Sequence, residues 1–293
     1  MDSAAAETHD LVRPHLVGTA IYKMTGSGND FVMVDARHTT PDQWSAGDIR
    51  AVCARGTGVG ADGLVFVGPG TRPDSVRMIY FNSDGSRAAM CGNAALCSTR
   101  LATRLGLGRP QGMTLETDAG VYDSRCAGPE ERAELHLAPV PPPSTVPGLI
   151  LAAGEERAVL GTVGVPHLVV LVGDVSRVDV EARGRALRSN PCVGPAGANV
   201  NFLSRDGHGG GGAPVWRMRT YERGVEAETL ACGTGAVAAA CALAEWGLAE
   251  PPVTVWTWGG RPLAIRARRG PEGLYDDVWL GGEARLVVRG VIN

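Results

Sequence analysis

The chain writes one short stretch twice. Met90-Cys91-Gly92-Asn93 returns 141 positions later as Ala231-Cys232-Gly233-Thr234. The agreement continues downstream: Gly106-Leu107 and Gly247-Leu248 stand fifteen and sixteen residues after their cysteines. Between each Cys-Gly and its Gly-Leu lies a proline-free run rich in Ala and Leu. Each run predicts a helix that starts at the cysteine and stops at the glycine. Two such helices with matching starts and stops require two similar units, which constrains the fold more than any compositional figure.

The flanking pattern repeats as well. Gly28-Asn29 follows a short apolar segment and precedes the strand-like Phe31 to Asp35. Gly164-Val165 stands between the strand-like Ala158 to Thr162 and Leu168 to Val172. Helices are expected from Thr40 to Arg55, with Pro41 in the first turn, and from Val178 to Arg188. Further strands are expected at 63–67, 76–81, 113–117, 120–125 and 132–137, and again at 199–203, 215–221, 253–257, 262–268, 277–280 and 284–291. Asn82 lies nine residues before Cys91, as Arg223 lies nine before Cys232. The proline cluster at 139–143 suits neither a helix interior nor a central strand and marks the boundary.

The expected architecture is therefore α+β, two pseudo-symmetric domains from an internal duplication with a cleft between them. The N-terminal half is read as 17–137 with 284–293, and the C-terminal half as 138–283. Residues 1–16 are read as a poorly ordered tail and 207–212 as a flexible loop.

At 293 residues the chain is long enough for two ordinary domains, and 44% hydrophobic residues suffice for a core. A net charge of −3 gives no reason to expect a nucleic-acid partner. No apolar run approaches the roughly 18 residues of a membrane span, and the N-terminus lacks the basic and apolar segments of a secretory signal. Seven cysteines at irregular spacings, without C-x-x-C, argue against a disulfide framework and a zinc site. A cytoplasmic protein with free thiols, no membrane contact and no metal is the expectation.

A cysteine at a helix start faces free backbone N–H groups and the positive end of the helix dipole. Both favour the thiolate and should lower the thiol pKa from its ordinary value of about 8.5. The same N–H groups can bind a carboxylate. If the two halves face each other, a small carboxylate fits between two thiols, one removing a proton from a carbon and the other returning one to the opposite face. A redox disulfide between the same cysteines shares this geometry, but leaves the polar turns upstream of each cysteine without a purpose. Cys97 and Cys241, inside the Ala-rich runs, are read as inert core residues, and His167 as a buried structural residue.

Taken together, Gly28-Asn29-Asp30-Phe31, Gly60-Ala61-Asp62-Gly63-Leu64, Asn82 to Ser86, Met90 to Asn93, Gly164 to His167, Asn199 to Phe202 and Glu222-Arg223-Gly224 leading to Ala231-Cys232-Gly233-Thr234-Gly235 resemble diaminopimelate epimerase. The matches run in order over about residues 20 to 290. The resemblance implies a cofactor-independent epimerase that interconverts LL- and meso-diaminopimelate in lysine and peptidoglycan-precursor synthesis. It also implies two domains, each a β-sheet wrapped around a central helix, and a homodimer. Cys91 and Cys232 would be the acid/base thiols. Gly92, Asn93, Gly233 and Thr234 would bind the carboxylate at the reacting centre, with Asn29 at the same end. Asn82, Asn199, Glu222 and Arg223 would hold the distal amino acid group.

Three positions depart from the family pattern. Val165 stands where many members have Asn. Asn93-Ala94-Ala95-Leu96-Cys97 replaces the usual Asn-Gly-Ala-Arg-Cys. The stretch from Glu222 to Glu228 is one residue longer than usual. Rival readings are a racemase of the same fold for histidine or proline, and a non-catalytic or redox relative. The proline type would carry His where Asn93 stands, and a non-catalytic relative would lack the cysteine pair, which a redox protein would keep.

Overall fold

The computed structural model describes residues 14–128, 131–206 and 215–293. The first half runs β1 (Ala20–Gly26), β2 (Asn29–Asp35), α1 (Ala46–Cys53), β3 (Gly63–Pro69), β4 (Ser75–Asn82), β5 (Arg87–Ala88), α2 (Gly92–Arg104), β6 (Met113–Thr117), β7 (Gly120–Cys126) and β8 (Arg132–Leu137). After β9 (Ser144–Thr145) the second half repeats the order with β10 (Glu155–Val163), β11 (Val165–Val172), α3 (Val180–Arg188), β12 (Asn199–Asp206), β13 (Val215–Glu222), β14 (Ala227–Thr229), α4 (Gly233–Glu245), β15 (Val253–Thr257), β16 (Pro262–Arg269) and β17 (Tyr275–Glu283). β18 (Arg285–Val291) closes the chain against β1.

The duplication holds at the level of single residues. β2 and β3 are parallel with Phe31 opposite Gly63; β11 and β12 are parallel with His167 opposite Asn199. β4 and β6 are parallel with Val76 opposite Leu115; β13 and β15 match with Trp216 opposite Val255. These registers make Gly63 equivalent to Asn199, Val65 to Asn201 and Tyr80 to Thr220. They also correct one alignment. Counting back from the cysteines pairs Asn82 with Arg223, whereas the strands pair it with Glu222, the last residue of β13. The additional residue lies in the turn 223–226, where Gly224 and Glu226 adopt positive φ of 92° and 58°.

The halves are joined by strand pairing as well as by chain. β8 lies antiparallel to β17, so the two sheets continue into each other along one seam. β18 crosses back to flank β1, and β9 flanks β10. Each sheet curls around its own central helix. From Ala94 to Leu101 and from Ala236 to Leu243 nearly every side chain is buried, and one continuous hydrophobic core encloses both helices. Helices so apolar on every side form stably only when wrapped in this way. Smaller clusters lie under α1 and α3 on the outer faces.

Local chemistry explains the helix ends. Gly106 and Gly247 take φ of 70° and 66°, and Leu107 and Leu248 donate back to Ala102 and Leu243, closing identical glycine stops. The expected helix from Thr40 to Arg55 is shorter. Pro41 opens only a single 3-10 turn, Pro41–Gln43, and α1 begins at Ala46 behind Ser45, whose hydroxyl accepts from the Asp48 N–H while the Asp48 carboxylate accepts from the Ser45 N–H. The end of the expected tail at 1–16 is structured. Pro14–Leu16 form a 3-10 turn with Leu16 buried, while 1–13 and the expected loop at 207–212 lie outside the described residues.

Candidate active site

Cys91 and Cys232 are the residues immediately before α2 and α4, both in extended backbone conformation (φ −142° and −132°). What brings the two starts together is Leu280, on the seam strand β17. A β-carbon on Gly233 would come within 2.8 Å of Leu280 Cδ2, and one on Gly92 would lie 3.5 Å from the same atom. One buried side chain thus supports both helix starts, and its packing leaves no room for a β-carbon at Gly233.

The turns beside the two helices are unequal. A β-carbon on Gly28 would sit 3.2 Å from Ala231 and 3.3 Å from Leu230, the residues leading into Cys232. Ser27 anchors this turn by accepting the Glu283 N–H at 2.9 Å. The equivalent Gly164 is exposed, with nothing within 4 Å of its β-carbon position. The β1–β2 turn is therefore packed on the opposite half, whereas the β10–β11 turn stands free.

The thiols depart from the lowered pKa expected of helix starts. Burial pushes Cys91 up to about 11 and Cys232 up to about 12. The expected pull is present but smaller: the N–H groups of Ala94 and Asn93 favour the Cys91 thiolate, and the Gly235 N–H and Thr234 hydroxyl favour that of Cys232. Neither thiol closes a cap hydrogen bond onto its own helix. The Thr234 hydroxyl lies 3.8 Å from the Cys232 sulfur. Glu222 adds negative charge near both thiols, and burial raises its own pKa. Desolvation wins because the surrounding protein takes both thiols out of water, Cys232 buried and Cys91 half-buried against the core.

Other predicted residues fall into two groups. Asn93, buried, donates to Asn29 Oδ1 at 2.6 Å, joining the first cysteine helix to the start of β2. Asn199 Oδ1 accepts the Arg223 N–H at 2.8 Å, and the Arg223 guanidinium donates to Ala196 O at 3.1 Å. Among the described residues no carboxylate pairs with Arg223. Asn82 ends β4, where its side chain donates to the Ser86 hydroxyl. Leu96 is fully buried, so the charge missing there belongs to a core position.

Three features escaped the sequence reading. Leu280 carries no signal beyond being apolar. Asp62 stood inside a quoted motif without a role, yet it accepts from Asn29 Nδ2 at 3.0 Å. Under α4 runs a buried polar chain: Thr220 donates to Asn201 Oδ1 at 3.0 Å, and Asn201 Nδ2 faces His167 Nδ1 at 3.2 Å. Burial, helped by the Arg223 charge, holds His167 neutral, with its pKa down at about 3. Asparagines at alternate positions 199 and 201 were the available hint. Among the described residues no cluster of His, Cys, Asp or Glu could hold a metal, and no helix is long and apolar enough to cross a membrane.

Comparison with known proteins follows the same lines. The family described as diaminopimelate epimerase matches residues 21–137 and 159–276, one segment in each half. A diaminopimelate epimerase of Gemmatimonas aurantiaca is 44% identical over 92% of this chain and 98% of its own length. One from Aquifex aeolicus is 40% identical over 83% and 88%. Among solved structures, a phenazine biosynthesis protein of the PhzF family from Bacillus anthracis superposes with a TM-score of 0.71 at 16% identity, covering 94% of this chain and 99% of that one. A hydroxyproline epimerase from Agrobacterium vitis gives 0.63 at 17%, covering 93% and 91%. These two show the fold. With the family matched over most of its length and relatives this similar, the chain belongs to the diaminopimelate epimerase family.

Proposed function

We propose that the protein is a cofactor-independent isomerase that interconverts LL- and meso-diaminopimelate through Cys91 and Cys232. The observation that carries this reading is the pair of cysteines at equivalent helix starts, resting on one leucine, with Glu222 acting electrostatically on both. One sulfur as thiolate takes the α-proton. The other, as thiol, gives its proton to the opposite face of the α-carbon, so thiol and thiolate exchange places and nothing is oxidised. The α-carboxylate lies against the N–H groups of both helix starts, at Gly92, Asn93, Gly233 and Thr234, where charge developing at the α-carbon is stabilised. In the empty site both thiols are protonated. An ammonium arriving beside them offsets the burial penalty and draws one toward the thiolate. At the distal end Arg223 offers its fork to a carboxylate, while Glu222, Asn199 and Asn82 accept from an ammonium.

The reading extends to a homodimer in the cytoplasm, serving lysine and peptidoglycan-precursor synthesis. The exposed Val287, Val288 and Val291 on the edge strand β18 support a second copy docking there. The division into 17–137 with 284–293 and 138–283 is supported by β18 pairing with β1 and β9 with β10.

The test is incubation with LL-diaminopimelate in heavy water under reducing conditions, following meso product and α-deuterium. Exchange is expected in the intact chain and should fall by about 10²- to 10⁴-fold in Cys91→Ala and in Cys232→Ala. Full activity in either variant would sink the two-thiol mechanism. Exchange with another amino acid in place of diaminopimelate would sink the substrate.

A further inference from the structure

Asn93 poses a problem that the site as described does not solve. It is 3% exposed, its amide nitrogen is committed to Asn29, and its Oδ1 is buried with no hydrogen-bond partner. A buried acceptor left bare is costly. That oxygen faces the opposite half: a β-carbon on Gly233 would lie 3.8 Å from it. It therefore borders the space between the two cysteine helices.

Its orientation is set two residues away. A carboxylate only accepts hydrogen bonds. Asp62 Oδ2 takes Asn29 Nδ2 at 3.0 Å and the Asp30 N–H at 3.1 Å, while Oδ1 takes the Arg55 guanidinium at 2.7 Å. Asn29 must therefore turn its NH2 toward Asp62 and its oxygen toward Asn93. Asn93 must then present its own NH2 to Asn29, which leaves its oxygen toward α4. Without the Asp62 charge the two amides could reverse together and keep their mutual hydrogen bond. The cleft would then be met by a donor instead of an acceptor.

We infer that Asp62 is a positioning residue: acting through Asn29, it holds Asn93 Oδ1 as an acceptor for the α-ammonium of the substrate. The inference rests on the epimerase reading above. An ammonium has three donors and no acceptor, so it suits a bare carbonyl oxygen, whereas a reversed Asn93 would repel it. The relay exists in one half only. By register Ala198 stands where Asp62 would be and Val165 where Asn29 would be. The ammonium is thereby assigned to the N-terminal side of the cleft.

The experiment compares two ligands in the full chain. Diaminopimelate carries an ammonium at both ends. 2-Aminopimelate, bound through its one amino acid head at the distal end, lacks the ammonium at the reacting end. In Asp62→Ala the KM for diaminopimelate should rise about tenfold, with a smaller change in kcat, while the inhibition constant of 2-aminopimelate stays put. Asp62→Asn should restore much of the difference, because its carbonyl can still accept from Asn29. Should Asp62→Ala fail to fold, Asn29→Leu breaks the same relay and should show the same ligand-selective loss. Equal weakening of both ligands, or an unchanged ratio between them, would overturn the inference. Failure of the epimerase reading is distinct, since the unaltered chain would then not turn over diaminopimelate at all.

Discussion

The two halves share a register but not a chemistry. In the first half Phe31 and Tyr80 meet edge to face, with ring centroids 6.0 Å apart, and Val65 lies between them in register. In the second half the same three places hold His167, Thr220 and Asn201, linked by hydrogen bonds. The turn beside the first is packed against the opposite half; the turn beside the second is free. Duplication supplied the scaffold, two helix starts aimed at one cleft. The differences between the copies bear on an asymmetric α-carbon, whose ammonium, carboxylate and chain must each find a separate place. A perfectly symmetric pair could not orient it.

Leu280 is what the halves share, so its loss should be felt most. It is fully buried and touches both helix starts. Leu280→Ala is expected to destabilise by about 2–5 kcal/mol, measured by denaturant unfolding. Its activity should fall further than the loss of folded protein accounts for, because both sulfurs shift. A stable, fully active variant would mean that the two starts are held independently.

The next test asks whether the copies are interchangeable. Gly235 is the third residue after Cys232, as Ala94 is after Cys91. A β-carbon on Gly235 would lie 2.2 Å from Asn201 Oδ1 and 3.1 Å from the Cys232 sulfur. Gly235→Ala should therefore cost about 1–3 kcal/mol by overpacking and should displace the thiol. Adding Asn201→Val puts the valine of the first half there and relieves the clash, but it takes the Asn201 partner from Thr220 and His167, so it should recover only part of the stability. If the double variant is no better than the single one, the two copies are not equivalent beneath their helices.

How much of this was legible in the sequence depends on how far apart the interacting residues lie. The cysteine helices were readable because their starts, apolar runs and glycine stops are local signals. β5, β9 and β14, of two or three residues, are too short to show any periodicity. The equivalence of Asn82 with Glu222 was hidden because the count from the cysteines passes through a turn with one residue more. The direction of the thiol pKa shift was misread for a different reason. A helix start is visible in sequence, but the burial that outweighs it is a property of the whole core. Asn29 and Asn93 carry signals of their own in the sequence, whereas Asp62 gains a role only once the strands bring it beside Asn29.

That pKa difference also separates the halves. Cys91 is half-buried with its thiol near 11, and Cys232 is buried with its thiol near 12. A raised pKa means less thiolate below it, so alkylation by iodoacetamide should be slow at pH 8 and speed up roughly tenfold per pH unit toward 10. Cys91, the less buried of the two, should react faster than Cys232, with the exposed Cys192 as internal reference in peptide mapping. Faster labelling of Cys232 would reverse the assignment of the more open side.

The smallest expected effect lies at the free turn. Val165 is half-buried at the start of β11, beside the exposed Gly164, in the place that Asn29 takes in the first half. Valine offers no polar group, whereas many family members carry Asn. Val165→Asn meets no crowding at Gly164, and β11 runs antiparallel to β10 there without irregularity, so the fold should tolerate it. One added hydrogen bond to the distal end of the substrate should lower KM by roughly two- to tenfold, the range of a single neutral pair. kcat should hold, since the contact would be equal in ground and transition states. An unchanged KM would mean that the β10–β11 turn stays clear of bound substrate, and that the first half and the Glu222–Arg223 turn suffice to hold it.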